Sequence, residues 1–504
     1  MRFSFLCLIA DHSAIRPGTT LLVASNSVKE SNRPSGADER LAGFAADLRF
    51  DRLPAEVIAH TKLSILDTIG VALAGSGTKE GCDDVLAYTE TENGSGGASV
   101  WPSGVRLGPA QAALANAVLA RALDYDDIIE FPQIHVSVCV VPAAIALAQS
   151  RSAPIDGRRL IAAVAVGCEV QSRLAASLKP YFGEGLPTML SSQVFGYFSA
   201  AAACGNILGL SHDAMRSAFG LALMQAAGTE EMVVHAAESF GKSLYAGLSN
   251  QGGVQSALMA QHGVLAKGEP LEGRAGLFAA YYGGRYDADV LVSDLGTRFV
   301  SLDRCVKAMP GTLVSHAFAE AALKLMQDNS LRQQDIAQVR LYVGPWGNVM
   351  CEPASLRRRP TSSSAAMNSI PFIVAKAIAN GRVALDDFQA EGRNQAEALA
   401  IAARTDHVLR RDLARPRGLE PGLVNLTLKD GRELNMRVTA PLGHPSRPLS
   451  TEDAAAKFRA NARFAAKSLE PSRVDAIIER VLTLENIEDV TGLVEFAAHK
   501  SRAG

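Results

Sequence analysis

Residues 122–135 read Ala122-Leu123-Asp124-Tyr125-Asp126-Asp127-Ile128-Ile129-Glu130-Phe131-Pro132-Gln133-Ile134-His135, a charged insert between two apolar runs. The run before it, Ala112 to Leu123, and the one after it, Val136 to Ala148, are rich in Ala and show no strand alternation. Apolar residues three and four apart indicate helices. Val140 to Ala148 is apolar nearly all round, which implies a central helix covered on every side by others. The same pattern holds in Leu160 to Cys168 and Ser199 to Leu210, and it extends from Leu41 to about Ala280. These segments predict one large helical domain over 41–285.

Beyond about Arg285 the pattern changes. Val339, Leu341 and Val343 alternate with polar residues, and Val424-Asn425-Leu426-Thr427-Leu428 runs into Lys429-Asp430-Gly431-Arg432 before Leu434 to Val438. An Asp-Gly between two alternating runs signals a hairpin. With helices expected at Ala317 to Met326 and Ile370 to Ala379, residues 286–445 form a second, mixed α+β domain. Helical patterning then returns over 446–504, with Ser450 and Asp453 spaced as a cap before Phe458, and Ser472 and Asp475 spaced likewise before Ile477. These last helices are expected to rejoin the first domain.

Composition bounds the partners. The 504 residues carry 50 Lys+Arg against 52 Asp+Glu, a formal charge of -2, which argues against a nucleic-acid partner. With 48% hydrophobic and 20% charged residues the chain is globular. Its most apolar stretches, Leu160 to Cys168 and Val138 to Ala148, fall short of the ~18–20 residues a bilayer helix requires, so no membrane partner is expected. Residues 1–40, with a short apolar Phe3 to Ala10 behind a single Arg2, are expected to be a disordered extension rather than a signal or organellar presequence. Seven scattered cysteines with no C-x-x-C suit reduced thiols and a cytoplasmic location, and they supply no zinc framework.

There is no G-x-G-x-x-G after a strand, no Walker loop, no H-E-x-x-H and no G-x-S-x-G. Gly94-Ser95-Gly96-Gly97 reads as a turn in a polar loop rather than a phosphate cradle. What remains is a set of ionisable residues in apolar or Gly-rich surroundings. Asp124, Asp126 and Asp127 repel one another, so any that is poorly solvated would hold a raised pKa, and His135 nearby can share or relay a proton. A solvated helix end with a loop histidine is the plainer account of the same spacing. Lys242 heads the helical stretch Gly241-Lys242-Ser243-Leu244-Tyr245-Ala246-Gly247, where a partly buried ammonium would suit a substrate carboxylate, although a lone lysine is more often a surface residue. In Lys307-Ala308-Met309-Pro310-Gly311 the Pro-Gly turn can carry Lys307 toward a helix starting near Ser315, with His316 in its first turn.

These segments, in this order, resemble the MmgE/PrpD family, which includes 2-methylcitrate dehydratase, cis-aconitate decarboxylase and iminodisuccinate epimerase. The resemblance spans roughly Leu41 to Phe496. Beyond the three segments above it rests on Leu66-Asp67-Thr68-Ile69-Gly70 with Ala74-Gly75, Phe195-Gly196, Glu272-Gly273 to Gly276-Leu277-Phe278, Ser369-Ile370-Pro371-Phe372, and Gly443-His444-Pro445 ahead of Pro448-Leu449-Ser450. It implies a mainly α fold, in which a large all-helical domain built from both chain ends carries a smaller inserted α+β lid domain, usually in a homodimer. It also implies a cleft between the domains with no metal or organic cofactor.

The family's reactions move a proton, or lose CO2, at a carbon next to a carboxylate. By resemblance, then, His135 is the proton-transfer group oriented by Asp124, His316 is the lid's catalytic contribution, and Lys242 and Lys307 clamp substrate carboxylates beside Tyr245. The expected activity is a lyase on a small-molecule carboxylate, hydro-lyase first, with decarboxylase or epimerase as alternatives and a noncatalytic ligand-binding homologue as the competing class. Departures from the family pattern occur at Ile128, Leu186-Pro187-Thr188, Tyr245 and Met367-Asn368. They suggest a less polar pocket and a smaller or partly apolar acid.

Overall fold

The computed structural model describes residues 36–494 apart from 79–80, 92–95, 182–188, 235–239 and 416. The expectations for residues 1–35, for Gly94-Ser95 and for Leu186-Pro187-Thr188 lie outside the described residues. The fold is mainly α. Six long or apolar helices, Ala55–Ser76, Pro109–Arg121, Val141–Gln149, Gly157–Ser177, Ser191–Leu208 and Gly241–Gln261, pack on one another around the larger core. Small residues let them approach closely: a Cβ at Gly75 would collide with the Leu119 carbonyl of the neighbouring helix.

The C-terminal segment returns to this core. Helix Thr451–Ala462 lies against Ala55–Ser76, and a side chain at Gly70 would come within 2.9 Å of the Phe458 ring. Its expected capping box is present, since Ser450 Oγ accepts from the Asp453 amide at 3.0 Å and Asp453 accepts from the Ser450 amide at 3.1 Å. The second expected cap is not. Helix Pro471–Leu482 starts two residues earlier with Pro in its first turn, so Glu470 takes the cap position and Ser472 falls inside the helix, while Asp475 pairs with Arg459 at 2.7 Å.

The smaller core surrounds a four-stranded sheet in the order Thr405–Leu409, Ile336–Val343, Gly422–Leu428, Glu433–Val438, the first pair parallel and the rest antiparallel. The Asp-Gly hairpin forms as its sequence indicates: Gly431 adopts φ +89° and Leu428 N donates to Arg432 O at 2.9 Å. Helices Leu313–Asp328 and Ile370–Asn380 cover the sheet, and each also sends residues into the larger core. The two cores therefore share a seam.

Two expectations change. The first helix, Ala37–Asp47, begins inside the stretch read as an extension; Ala37 N donates to Glu272 Oε2 at 2.8 Å, and Asp38 accepts from the amides of Leu271 and Glu272, so residues 36–40 are fastened to the core. Scanning for short apolar runs also missed that Ala55–Ser76 and Gly157–Tyr181 are long and apolar enough to cross a membrane; 72% and 100% of their most apolar windows are buried against protein. Within the second of these, Glu169 and Arg173 pair at 2.6 Å, and Arg173 donates to the carbonyls of Val290, Ser293 and Arg298, which ties 287–303 to the helical core. The six described cysteines are free and buried.

Candidate active site

Helix Pro109–Arg121 ends on Arg121, and the chain then turns at Asp124 with φ +47°, a left-handed conformation that Asp adopts more readily than most side chains. The turn sends the carboxylates to separate partners. Asp124 Oδ1 accepts from Lys307 Nζ at 2.8 Å, and its Oδ2 accepts from Lys242 Nζ at 2.8 Å. Lys307 also donates to the Asp124 carbonyl at 2.7 Å. Asp127 turns away: it accepts from the Ser137 amide at 2.9 Å, bonds the Ser137 hydroxyl and faces Arg304 Nε at 3.2 Å, which closes the loop around His135.

Arg121 is the hub. Its NH1 donates to Asp124 and to Asp126, each at 3.1 Å; its Nε donates to Tyr245 Oη at 2.8 Å; and its NH2 lies 3.2 Å from His135 Nε2. His135 Nδ1 sits 2.8 Å from Asp126 Oδ2. The backbone of His135 is held by Ser192 Oγ and Gln171 Nε2. Lys242, in the first turn of Gly241–Gln261, also donates to Asn368 Oδ1 at 3.2 Å, a contact from the seam between the two cores.

The three aspartates are buried, at 7%, 1% and 1% exposure, so the solvated-helix-end account fails. At Asp124 and Asp126 the expected direction of the pKa also reverses. Burial alone would raise Asp124, but Lys242, Lys307 and Arg121 hold it well below the usual range; Arg121 and His135 hold Asp126 down in the same way. His135 is lowered, first by burial and then by Arg121, and so is neutral. Burial lowers Lys242 and raises the Tyr245 phenol.

The structure thus brings Asp124, His135, Lys242, Lys307 and Tyr245 into one cluster and changes their partnerships. Asp126, not Asp124, orients His135, because Asp124 lies 4.0 Å from the ring. Both lysines clamp Asp124, and Tyr245 anchors Arg121. His316, in helix Leu313–Asp328, stands apart: it is fully buried, neither ring nitrogen has a hydrogen-bond partner among the described residues, and burial followed by the Lys307 charge brings its pKa down to about 3.

Two of the departures do not make the pocket apolar. Ile128 packs with Cys305 and Leu313, while Asn368 adds a polar contact to Lys242. The argument for a smaller or less polar acid therefore loses its footing at these positions.

Sequence reasoning missed two residues. Arg121 is the one cation in the helix PAQAALANAVLAR and lies three residues before Asp124, a spacing that allows a pair. Lys457 interrupts the buried face formed by Ala454, Ala455, Phe458 and Ala462. Its ammonium donates to the carbonyls of Lys307 at 2.7 Å and Tyr125 at 3.0 Å, pairs with Asp67 at 2.6 Å and lies 3.8 Å from the Tyr125 ring centroid.

Asp124, Asp126 and His135 place three ligand-type atoms within 4.8 Å of one another. The Asp124 oxygens already meet two ammonium groups at 2.8 Å, and both carboxylates meet the guanidinium. A dication would have to displace these cations, so the donor set fits a salt-bridged cluster rather than a metal site.

The titrations predict an acid-stability profile. His60 and His316 are each lowered to about 3, mainly by burial, so between pH 6.5 and 3 the unfolded chain binds protons there that the native chain does not. Each costs the native state about 1.4 kcal/mol per pH unit as pH falls. Asp38 and Asp67, raised to about 6 by burial, act in the opposite sense from pH 6 down to their unfolded value of 3.8. The two pairs offset each other in that window, leaving the share of His135. Below it Asp38 and Asp67 no longer compensate, and the unfolded chain binds protons at Asp124 and Asp126 that the ion-paired native carboxylates do not. Calorimetry is expected to show a shallow decline in Tm from pH 6.5 to about 4 and a steep one below; a steep fall already complete by pH 5 contradicts these assignments.

The MmgE/PrpD N-terminal domain model matches residues 39–288, and the MmgE/PrpD C-terminal domain model matches residues 309–484. Among curated proteins, the cis-aconitate decarboxylase of Homo sapiens is 28% identical over 465 residues, covering 90% of this chain and 93% of that protein. The cis-aconitate decarboxylase of Mus musculus is 28% identical over 474 residues (90% and 92%), and one from Aspergillus terreus is 27% identical over 487 residues (92% and 96%).

Proposed function

The chain belongs to the MmgE/PrpD family, and from that premise we propose that it is a lyase acting on a small organic acid by proton transfer at a carbon next to a carboxylate, without a cofactor. One observation carries the reading. Arg121, Lys242 and Lys307 bring three positive charges against the two carboxylates of Asp124 and Asp126, around a neutral imidazole. The cluster is one negative charge short of balance, and a substrate carboxylate supplies it.

Lys242 is the ammonium placed to receive that carboxylate. Its side chain is 22% exposed, against 1% for Lys307, so it can leave Asp124 for the substrate while Lys307 and Arg121 keep Asp124 paired. His135 then takes the proton from the adjacent carbon. The electron pair left behind spreads into the carboxylate as an enediolate, which the fixed cations stabilise. In the dehydratase form of this reaction the charge returns to form a C=C bond as the C–O bond of the next carbon breaks, and the hydroxyl leaves as water with a proton from the Tyr245 phenol, which the His135 imidazolium then replaces. The Tyr245 phenol, kept protonated by burial, is a donor within the same cluster.

A second reading, decarboxylation, is favoured by the names of the relatives. It needs no abstraction, only a proton delivered to the carbanion after CO2 departs. Proton NMR of the purified chain in D2O against di- and tricarboxylates, 2-hydroxy acids and their unsaturated counterparts, with CO2 measured alongside, separates the two. Deuterium at the substrate carbon with an unsaturated product and no CO2 supports dehydration; stoichiometric CO2 replaces it with the second reading. Binding without exchange or product across the panel moves the chain to the noncatalytic class.

We further take a homodimer as the working form, on the family resemblance, and sedimentation of the purified chain reads it directly. The buried free thiols support a reducing compartment such as the cytoplasm.

A further inference from the structure

We propose that Arg121 is a positioning residue that fixes the tautomer of His135, so that Nε2 is the atom that accepts the substrate proton and His135 enters the reaction as a base. For the reaction the inference rests on the lyase reading above; for the tautomer it rests on geometry alone.

A guanidinium has five N–H donors and no acceptor, and it stays protonated in proteins. Arg121 NH2 lies 3.2 Å from His135 Nε2, so that contact is a hydrogen bond only if Nε2 presents its lone pair. The ring proton then sits on Nδ1, which meets the Asp127 carbonyl at 3.2 Å in hydrogen-bonding geometry and has the Asp126 Oδ2 charge 2.8 Å away, a contact of distance rather than of hydrogen-bond alignment. The two ring nitrogens thus have opposite partners, and both partners select the same tautomer. Arg121 is retained in the cluster by its Nε contact to Tyr245 and its NH1 contacts to both aspartates, and its 3.2 Å contact to Nε2 is the longest it makes and the one that yields.

This arrangement decides the first proton movement. The C–H bond next to the substrate carboxylate breaks and its proton forms the Nε2–H bond. The electron pair stays on carbon and is shared with the carboxylate oxygens, and the imidazole becomes an imidazolium held by Asp126. The contact to Arg121 is among the longer ones in the cluster, and it gives up the Nε2 lone pair as the proton arrives. A resting imidazole of this tautomer has no proton on Nε2 to deliver, so chemistry that starts by protonating a carbanion would have to draw on Lys242 or Tyr245 instead.

The charged and titratable groups around His135 are Arg121 from its helix, Asp124, Asp126 and Asp127 from the turn, Lys242 and Tyr245 from Gly241–Gln261, and Lys307. Removing Arg121 takes away a fixed positive charge and the lone-pair partner together while Asp126 remains. The imidazole pKa is therefore expected to rise.

The test is 1H–15N NMR of the full chain labelled with 15N-histidine at neutral pH. Of the ten histidines, the His135 signal is identified by its loss in His135→Gln. A protonated Nδ1 with a bare Nε2 is expected; a proton on Nε2 overturns the inference. In Arg121→Gln the same signal is expected to titrate about one pH unit higher or more, and an unmoved titration in the folded variant also overturns it. If that variant does not fold, the wild-type spectrum alone decides the tautomer. An Nδ1–H imidazole in a protein that turns over no acid supports the positioning by Arg121 and defeats the lyase reading. Turnover with an Nε2–H imidazole does the reverse.

Discussion

Lys307→Met is expected to lower kcat/KM by about 10²–10³-fold, the scale found when one charge-stabilising donor is removed from an active site. Methionine fills nearly the volume of the buried lysine stem but donates nothing to the Asp124 carboxylate or carbonyl, which now accept at 2.8 and 2.7 Å. The inner cluster then holds two cations against two carboxylates. Lys242 can no longer leave Asp124 without stranding a buried charge, so substrate binding and turnover fall together.

Losing one member of a buried pair typically costs ~3–5 kcal/mol, but here Arg121 and Lys242 still cover Asp124, and the loss should lie below that range. Steady-state kinetics with a thermal melt on the same sample checks both parts. His135→Gln provides the companion measurement through the proton-transfer group itself. Wild-type turnover in both variants would remove this cluster from the reaction.

His316→Leu is expected to do something less usual, raising stability while reducing turnover. The imidazole is fully buried and neither nitrogen is paired among the described residues; the Gly311 backbone lies near enough to temper its pKa yet outside hydrogen-bonding geometry. An unsatisfied buried polar group costs roughly 1–3 kcal/mol, which a leucine of similar reach would recover. A chain that retains such a cost beside Lys307 gains something by it, and the reaction is where that gain is expected to appear. A lower Tm in His316→Leu would show that the ring has a partner worth keeping, and a higher Tm with unchanged turnover would make the histidine a packing residue with no part in the chemistry.

The helical core, the hairpin at Asp430-Gly431 and the cap at Ser450 were legible because each is written in residues a few positions apart. The candidate residues were legible as types in apolar surroundings, but their partnerships were not. Asp124 meets lysines 118 and 183 positions away, and those distant cations, rather than the neighbouring aspartates, set the direction of its pKa. Repulsion among Asp124, Asp126 and Asp127 was the local term, and long-range pairing outweighed it. Arg121 carried a local signal in its spacing from Asp124. The exchange of Asp124 for Asp126 as the partner of His135 did not, because the left-handed turn at Asp124 decides which carboxylate faces the ring. At Ser472 a local rule lost to a stronger local rule, the fixed φ of Pro471 in the first helical turn.

The ammonium of Lys457 clasps the carbonyl of Tyr125, 332 positions earlier in the chain, along with that of Lys307. A protein made from its N-terminus outward will have most of its helices in place before this clasp exists. Until helix Thr451–Ala462 leaves the ribosome, the segments carrying Asp124 and Lys307 lack their common fastening, and closing so long a loop is a slow, late event. Newly made chains should therefore become competent only near the end of synthesis, and fragments broken off before that helix should accumulate without activity.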